Sequence, residues 1–127
     1  MLSGFRAFTI THNEVKAGNL AHFVLDKSVQ ESTLNNLKKD CGIDELLYLS
    51  TCNRVLFLIY MDPLKSLSKE AFFKSFNPDI DKDLLVRVKA YKGQESIKHL
   101  FRVAASLDSM VVGEREIFRQ LRESYTE

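Results

Sequence analysis

The run Val55-Leu56-Phe57-Leu58-Ile59-Tyr60-Met61 constrains the fold more than any other feature of the sequence. Strand side chains point to alternate faces, so a half-exposed strand alternates apolar with polar residues. This run is apolar on both faces and predicts a central strand, covered on both sides. It is far short of the ~20 apolar residues that a membrane helix needs. The surrounding chain can bury such a strand. With 127 residues, 45% hydrophobic and 28% charged, residues 1–127 read as one soluble α+β domain with a real core. Nine phenylalanines make collapse favourable without disulfides or metal. The formal charge of +1 excludes a uniformly basic nucleic-acid surface and leaves a local patch open. Met1-Leu2-Ser3-Gly4 lacks a secretory apolar segment, and two cysteines make no disulfide framework, so a reducing, cytoplasmic location is expected.

The flanking segments predict the remaining elements. Phe5 to Thr11 is rich in aromatic and β-branched residues and reads as a strand. Leu20, Phe23 and Val24 fall at helical spacing. Ser28 and Glu31 form a capping box opening a helix with Leu34, Leu37 and Cys41 on one stripe, stopped by Gly42. Leu46 to Ser50 is a strand, joined to the central run by Thr51-Cys52-Asn53-Arg54. Asp62-Pro63 predicts the start of a helix carrying Leu64, Leu67, Ala71 and Phe72, ended by Asn77-Pro78. Val86, Val88 and Ala90 alternate with Arg87, Lys89 and Tyr91 as in a strand with one wet face. Two helices follow, about residues 94–107 and from Glu114 onward. The order β-α-β-β-α-β predicts a ferredoxin-like (split β-α-β) antiparallel sheet, with helices on one face plus two C-terminal helices. The last helical pattern, with Arg115, Arg119 and Arg122 on one face, is still running at Glu127, as expected of a piece of a longer protein.

Cys52 is the first candidate for chemistry. It lies in a polar connection, and Arg54 two residues on would favour its thiolate if the side chains converge. A thiolate attacks carbonyl carbon; a turn cysteine without a role is the plain alternative. Cys41 reads as a small core hydrophobe. On the helix carrying Ile97, Leu100, Phe101 and Ala104, His99 points about 160° from the apolar stripe at ~100° per residue, toward solvent or a site. His12 ends the first strand and is placed at the same sheet edge, while His22 lies among apolar residues; for each histidine alone a solvated surface role stays open. Arg54 suits a carboxylate, which guanidinium binds in a fork, or is simply a strand-end arginine in water. The cysteine and histidine spacings do not make a zinc site, and no metal is expected. The five glycines stand alone, so no phosphate-cradling loop is expected.

Leu49-Ser50-Thr51-Cys52-Asn53-Arg54 resembles the S-T-C-N-R motif of glutamyl-tRNA reductase, which opens tetrapyrrole (porphyrin and haem) synthesis from glutamate. The stretch His99-Leu100-Phe101-Arg102-Val103-Ala104-Ala105-Ser106-Leu107-Asp108-Ser109-Met110-Val111-Val112-Gly113-Glu114 is similar to that family's H-L-x-R-V-A-S-G-L-D-S-x-V-x-G-E. Thr11-His12 resembles the N-H after its first strand. The resemblance implies an N-terminal catalytic domain in which Cys52 attacks the glutamyl ester of glutamyl-tRNA to form a thioester. A hydride from NADPH, bound by a separate domain, then reduces it to glutamate-1-semialdehyde. It also implies that Arg54 holds a glutamate carboxylate beside Thr51 and Asn53, that His99 is needed for activity, and that Ser109, Glu114 and Gln120 contact substrate. Arg115 and Glu116, also expected at the substrate, stand where the family has Pro-Gln. Leu56 stands where it usually has Glu, and residues 13–18 lack its basic, proline-containing run. Further implied are a dimerisation domain and homodimer outside this chain, glutamate-1-semialdehyde aminomutase as a partner, and no membrane association. An isolated domain of this kind is expected to acylate Cys52 but not to complete the reduction. Two other readings compete: a non-enzymatic RNA-binding ferredoxin-like module, without the aromatic strand pattern that such modules use, and a redox-sensing thiol at Cys52.

Overall fold

The computed structural model describes residues 2–51 and 53–106. Strand β1 (Phe5–Thr11) leads through helix α1 (Ala17–Leu20) and a 3-10 turn to helix α2 (Lys27–Cys41). The hairpin β2 (Glu45–Ser50) and β3 (Arg54–Tyr60) follows, then helices α3 (Lys69–Phe76) and α4 (Lys82–Arg87), strand β4 (Lys89–Lys92) and helix α5 (Gln94–Ser106). The sheet order is β2-β3-β1-β4, every neighbouring pair antiparallel. This is the expected split β-α-β plan. The run that carries the fold is indeed central: β3 has strands on both sides, and Val55 through Leu58 are each no more than 4% exposed.

The two faces of the sheet build two cores. On one, Phe8, Ile10, Tyr48, Val55, Phe57 and Ile59 meet α2, α3 and α4. Phe57 is the hub of an aromatic cluster, its ring 5.1 to 5.5 Å from those of Tyr48, Phe72, Phe73 and Phe76. Such tilted and edge-on pairs satisfy the ring quadrupoles as well as excluding water. On the other face, Ala7, Leu47, Leu49, Leu56 and Leu58 pack under Ile97, Leu100 and Val103 of α5. The first of the two C-terminal helices thus forms a third layer. Gly93, at φ 64°, lets the chain reverse from β4 into α5, and its N–H donates to the Phe5 carbonyl at 2.7 Å.

Several local expectations are corrected. The N-cap of α2 is Asp26, whose carboxylate accepts from Ser28 N–H at 3.1 Å, so the Ser28–Glu31 capping box is not formed; Gly42 (φ 66°) does end the helix. Leu20 and Phe23 are buried as their spacing suggests, but Val24 lies beyond the 3-10 turn and is exposed. Asp62-Pro63 starts no helix. Its carboxylate accepts from Leu64 N–H, while the buried Arg6 guanidinium donates to the Asp62 and Lys65 carbonyls and diverts them from a helical ladder. The helix begins instead after Ser68, whose hydroxyl accepts from Ala71 N–H at 3.0 Å. The strand expected from Val86 is half helix: Asp81 caps α4, Val86 is exposed, and extended pairing starts at Lys89. Cys41 is half-buried at the edge of the aromatic core, where burial first and Asp40 second push its thiol pKa up. Cys52, Ser109, Glu114, Arg115, Glu116 and Gln120, and the arginine-bearing last helix, lie outside the described residues.

Phe57→Ala should cost about 3–5 kcal/mol of stability in denaturant unfolding. Leu64→Ala, at a side chain 94% exposed, should stay within about 0.5 kcal/mol of the parent. Equal losses would contradict this placement of the core.

Candidate active site

The site lies at one end of the sheet face under α5. Along that face β1 presents Ala7, Thr9 and Thr11, and β3 presents Leu58, Leu56 and Arg54 as their register partners. The apolar floor therefore gives way to polar residues at the end where β1 stops and β3 starts. From β4, Lys89 and Tyr91 join the same face opposite Thr9 and Ala7. Leu56 is fully buried in the floor, so a glutamate in its place would bring a charge beneath α5.

Strand β2 ends at Ser50, and Arg54 is the first residue of β3. Thr51 N–H donates to the Arg54 carbonyl at 2.8 Å, and the Thr51 hydroxyl accepts from Asn53 N–H at 3.2 Å. The Asn53 carbonyl accepts from His12 N–H at 2.9 Å and lies 3.4 Å from the exposed His12 ring. Asn53 is thus pinned to the end of β1, and His12 sits at the expected sheet edge. His22 is exposed on the 3-10 turn, away from this cluster.

Helix α5 brings His99 to Arg54. Arg54 Nη1 lies 3.3 Å from His99 Nε2, and the imidazole stacks on Tyr91 with ring centroids 4.5 Å apart and planes 18° from parallel. The expected stripe of Ile97, Leu100, Phe101 and Ala104 is corrected: the buried face of α5 runs through Ser96, Ile97, Leu100 and Val103. This puts His99, one turn from Val103, on its edge, facing the site and only 8% exposed. Burial lowers its pKa from 6.5 to about 4, helped by Arg54, Arg102 and Lys89 and opposed by Glu14. His99 is therefore neutral at pH 7. Because guanidinium only donates, Nε2 accepts and the ring proton sits on Nδ1. Nδ1 is buried and has no hydrogen-bond partner among the described residues.

Glu14, Lys89 and Tyr91 belong to this cluster although no sequence motif marks them. The Thr11 hydroxyl donates to Glu14 Oε2, Lys89 Nζ lies 3.9 Å from Glu14 Oε1, and Arg87 donates to the Glu14 carbonyl at 3.2 Å. One carboxylate thus stands among Arg54, Arg87, Lys89 and Arg102, an electropositive setting suited to an anionic ligand. Among the described residues, no three His, Cys, Asp or Glu side chains converge as a metal site requires, and no helix is long and apolar enough to cross a membrane.

The family model for the glutamyl-tRNAGlu reductase N-terminal domain matches residues 8–127. The chain belongs to the glutamyl-tRNA reductase family. It is 43% identical over 96 residues to glutamyl-tRNA reductase of Desulfotalea psychrophila, covering 75% of this chain and 22% of that protein. With the Campylobacter hominis glutamyl-tRNA reductase it shares 37% identity over 122 residues, 94% of this chain and 28% of the relative. The solved glutamyl-tRNA reductase from Methanopyrus kandleri superposes with a TM-score of 0.57 at 26% identity, over 98% of this chain and 28% of that one. The chain thus spans about a quarter of the length of these glutamyl-tRNA reductases. Of the positions singled out by resemblance to the family, Arg54 and His99 are in contact, and Thr51 and Asn53 build the turn beside them.

A histidine kept neutral by the fold makes stability fall as pH drops, because the unfolded chain takes up a proton that the folded one refuses. The His99 contribution should be lost progressively from about pH 6.5 down to about pH 4 and level off below. Denaturant unfolding across that range should show a shallower slope for His99→Gln than for the parent. Parallel curves would contradict the burial of a neutral imidazole.

Proposed function

We propose that this chain is the part of a glutamyl-tRNA reductase that takes the glutamyl group from its tRNA onto Cys52. In this reading the Cys52 thiolate attacks the ester carbonyl carbon. A carbon–sulfur bond forms, the bond to the terminal ribose oxygen breaks, and the tRNA leaves as that oxygen takes up from solvent the proton that the thiol released to it. The Arg54–His99 contact beside the 51–53 turn carries the proposal. Guanidinium has five N–H donors, and Arg54 uses one on His99 among the described residues. The rest suit the glutamyl side-chain carboxylate. His99 has its Nε2 occupied by Arg54, so it serves to hold that guanidinium in place, not as the base for the thiol.

The chain's own steps are proposed to end at the thioester. Reduction to glutamate-1-semialdehyde needs a hydride, and the described residues do not fit NADPH. Gly4, Gly18, Gly42 and Gly93 are isolated, and the two at positive φ close turns at a helix end and between β4 and α5. NADPH binding and dimerisation are assigned to further domains, for which the fourfold greater length of the relatives leaves room. The full protein is then a cytoplasmic homodimeric oxidoreductase of porphyrin synthesis, its aldehyde consumed by glutamate-1-semialdehyde aminomutase. Ser109, Glu114, Arg115, Glu116 and Gln120 remain proposed substrate contacts. The RNA-module alternative is less favoured because α2–α4 and α5 cover both sheet faces, which leaves no platform for bases to stack on.

Intact mass after acid quench tests the proposal. Mixed with glutamyl-tRNA, the parent should gain one glutamyl group and Cys52→Ser none, without semialdehyde when NADPH is added. An adduct on both proteins, or no adduct with ester loss at background, would overturn it.

A further inference from the structure

Tyr91 has no place in the motifs, yet it makes the closest ring contact with His99. Its position follows from the sheet: Tyr91 pairs with Ala7 on β1, which turns its side chain to the face covered by α5. There the two rings lie nearly parallel, 18° apart, with centroids at 4.5 Å. The Arg54 contact at 3.3 Å fixes where Nε2 points but leaves the imidazole free to rotate about that direction. A flat ring against its face removes this freedom. The direction of the buried Nδ1–H, which has no partner among the described residues, is then set by two neighbours from different strands.

We propose that Tyr91 is a positioning residue that holds the plane of His99, through its ring and not its hydroxyl, and so fixes the buried tautomer whose Nε2 meets Arg54. Its bearing on glutamyl transfer, through the Arg54 that His99 holds, rests on the reading of Cys52 as the glutamyl acceptor; the hold on His99 does not. The charged groups around the imidazole are Arg54 from β3, Lys89 from β4, Arg102 from α5 itself and Glu14 after β1. Removing the Tyr91 ring admits water to His99 while Arg54, Lys89 and Arg102 stay. Its titration should therefore rise from about 4 yet stay below the ordinary 6.5.

The test compares the parent chain with Tyr91→Phe and Tyr91→Leu by nitrogen-detected histidine NMR across pH. The parent and Tyr91→Phe should show a single Nδ1–H tautomer and the same low midpoint. Tyr91→Leu should mix tautomers and raise the midpoint by about one unit or more. In single-turnover glutamyl transfer, Tyr91→Leu should be slower by roughly 10- to 100-fold at unchanged half-saturation, with Tyr91→Phe close to the parent. An unchanged tautomer and midpoint in Tyr91→Leu, or Tyr91→Phe behaving like Tyr91→Leu, would overturn the proposal. Should Tyr91→Leu fail to fold, the parent alone decides: His99 ring protons must be shifted upfield and show cross-relaxation with the Tyr91 ring, and their absence rejects the stack. Failure of transfer in the parent itself would count against the Cys52 reading, while the NMR comparison still judges Tyr91.

Discussion

The pairing of β3 with a strand on each side is the constraint on which the rest depends. Its register places Arg54 opposite Thr11 and Leu56 opposite Thr9, so one sheet face runs from leucine to guanidinium within two residues. A slip of one residue would send Arg54 into the aromatic core and Val55 under α5. The site needs that register because His99 arrives from a helix far along the chain and meets Arg54 only if both occupy the same end of the same face. Packing supplies the precision: α5 is anchored by Ile97, Leu100 and Val103, none more than 3% exposed.

Charge at the site follows from this placement. Burial and three cations keep His99 neutral beside the Arg54 guanidinium. The pair is therefore a donor and a neutral acceptor, not an ion pair. The Nδ1–H is left without a partner among the described residues, while the remaining donors of half-exposed Arg54 can reach water or a ligand. An unsatisfied buried donor costs about 1–3 kcal/mol.

The legible parts of the sequence were those in which one residue type has one physical use. An apolar run of seven residues had no place but a sheet centre, and Gly42 could end a helix at positive φ. The missed parts were decided by distant partners. Asp62-Pro63 reads locally as a helix start, but Arg6, fifty-six residues earlier, takes the carbonyls there. Val86 to Tyr91 alternates like a strand, yet the Asp81 cap claims its first half for a helix. At the site, the angle of His99 on its helix was misread, because Ser96 and Val103 complete the buried face of α5, and Tyr91 and Arg54, which bury the imidazole, come from other strands. Glu14 and Lys89 carried no local signal, because their meaning lies in a contact across β1 and β4.

The central claim is that this end of the sheet receives a glutamyl group at Cys52 with Arg54 holding its carboxylate. The most direct measurement is the alkylation rate of Cys52, followed by peptide mass, in the presence of glutamyl-tRNA, uncharged tRNA or aspartyl-tRNA, for the parent and Arg54→Ala. The account predicts strong protection of the parent by glutamyl-tRNA, little by the other two, and loss of that selectivity in Arg54→Ala. Equal protection by charged and uncharged tRNA, or selectivity that survives Arg54→Ala, would contradict it.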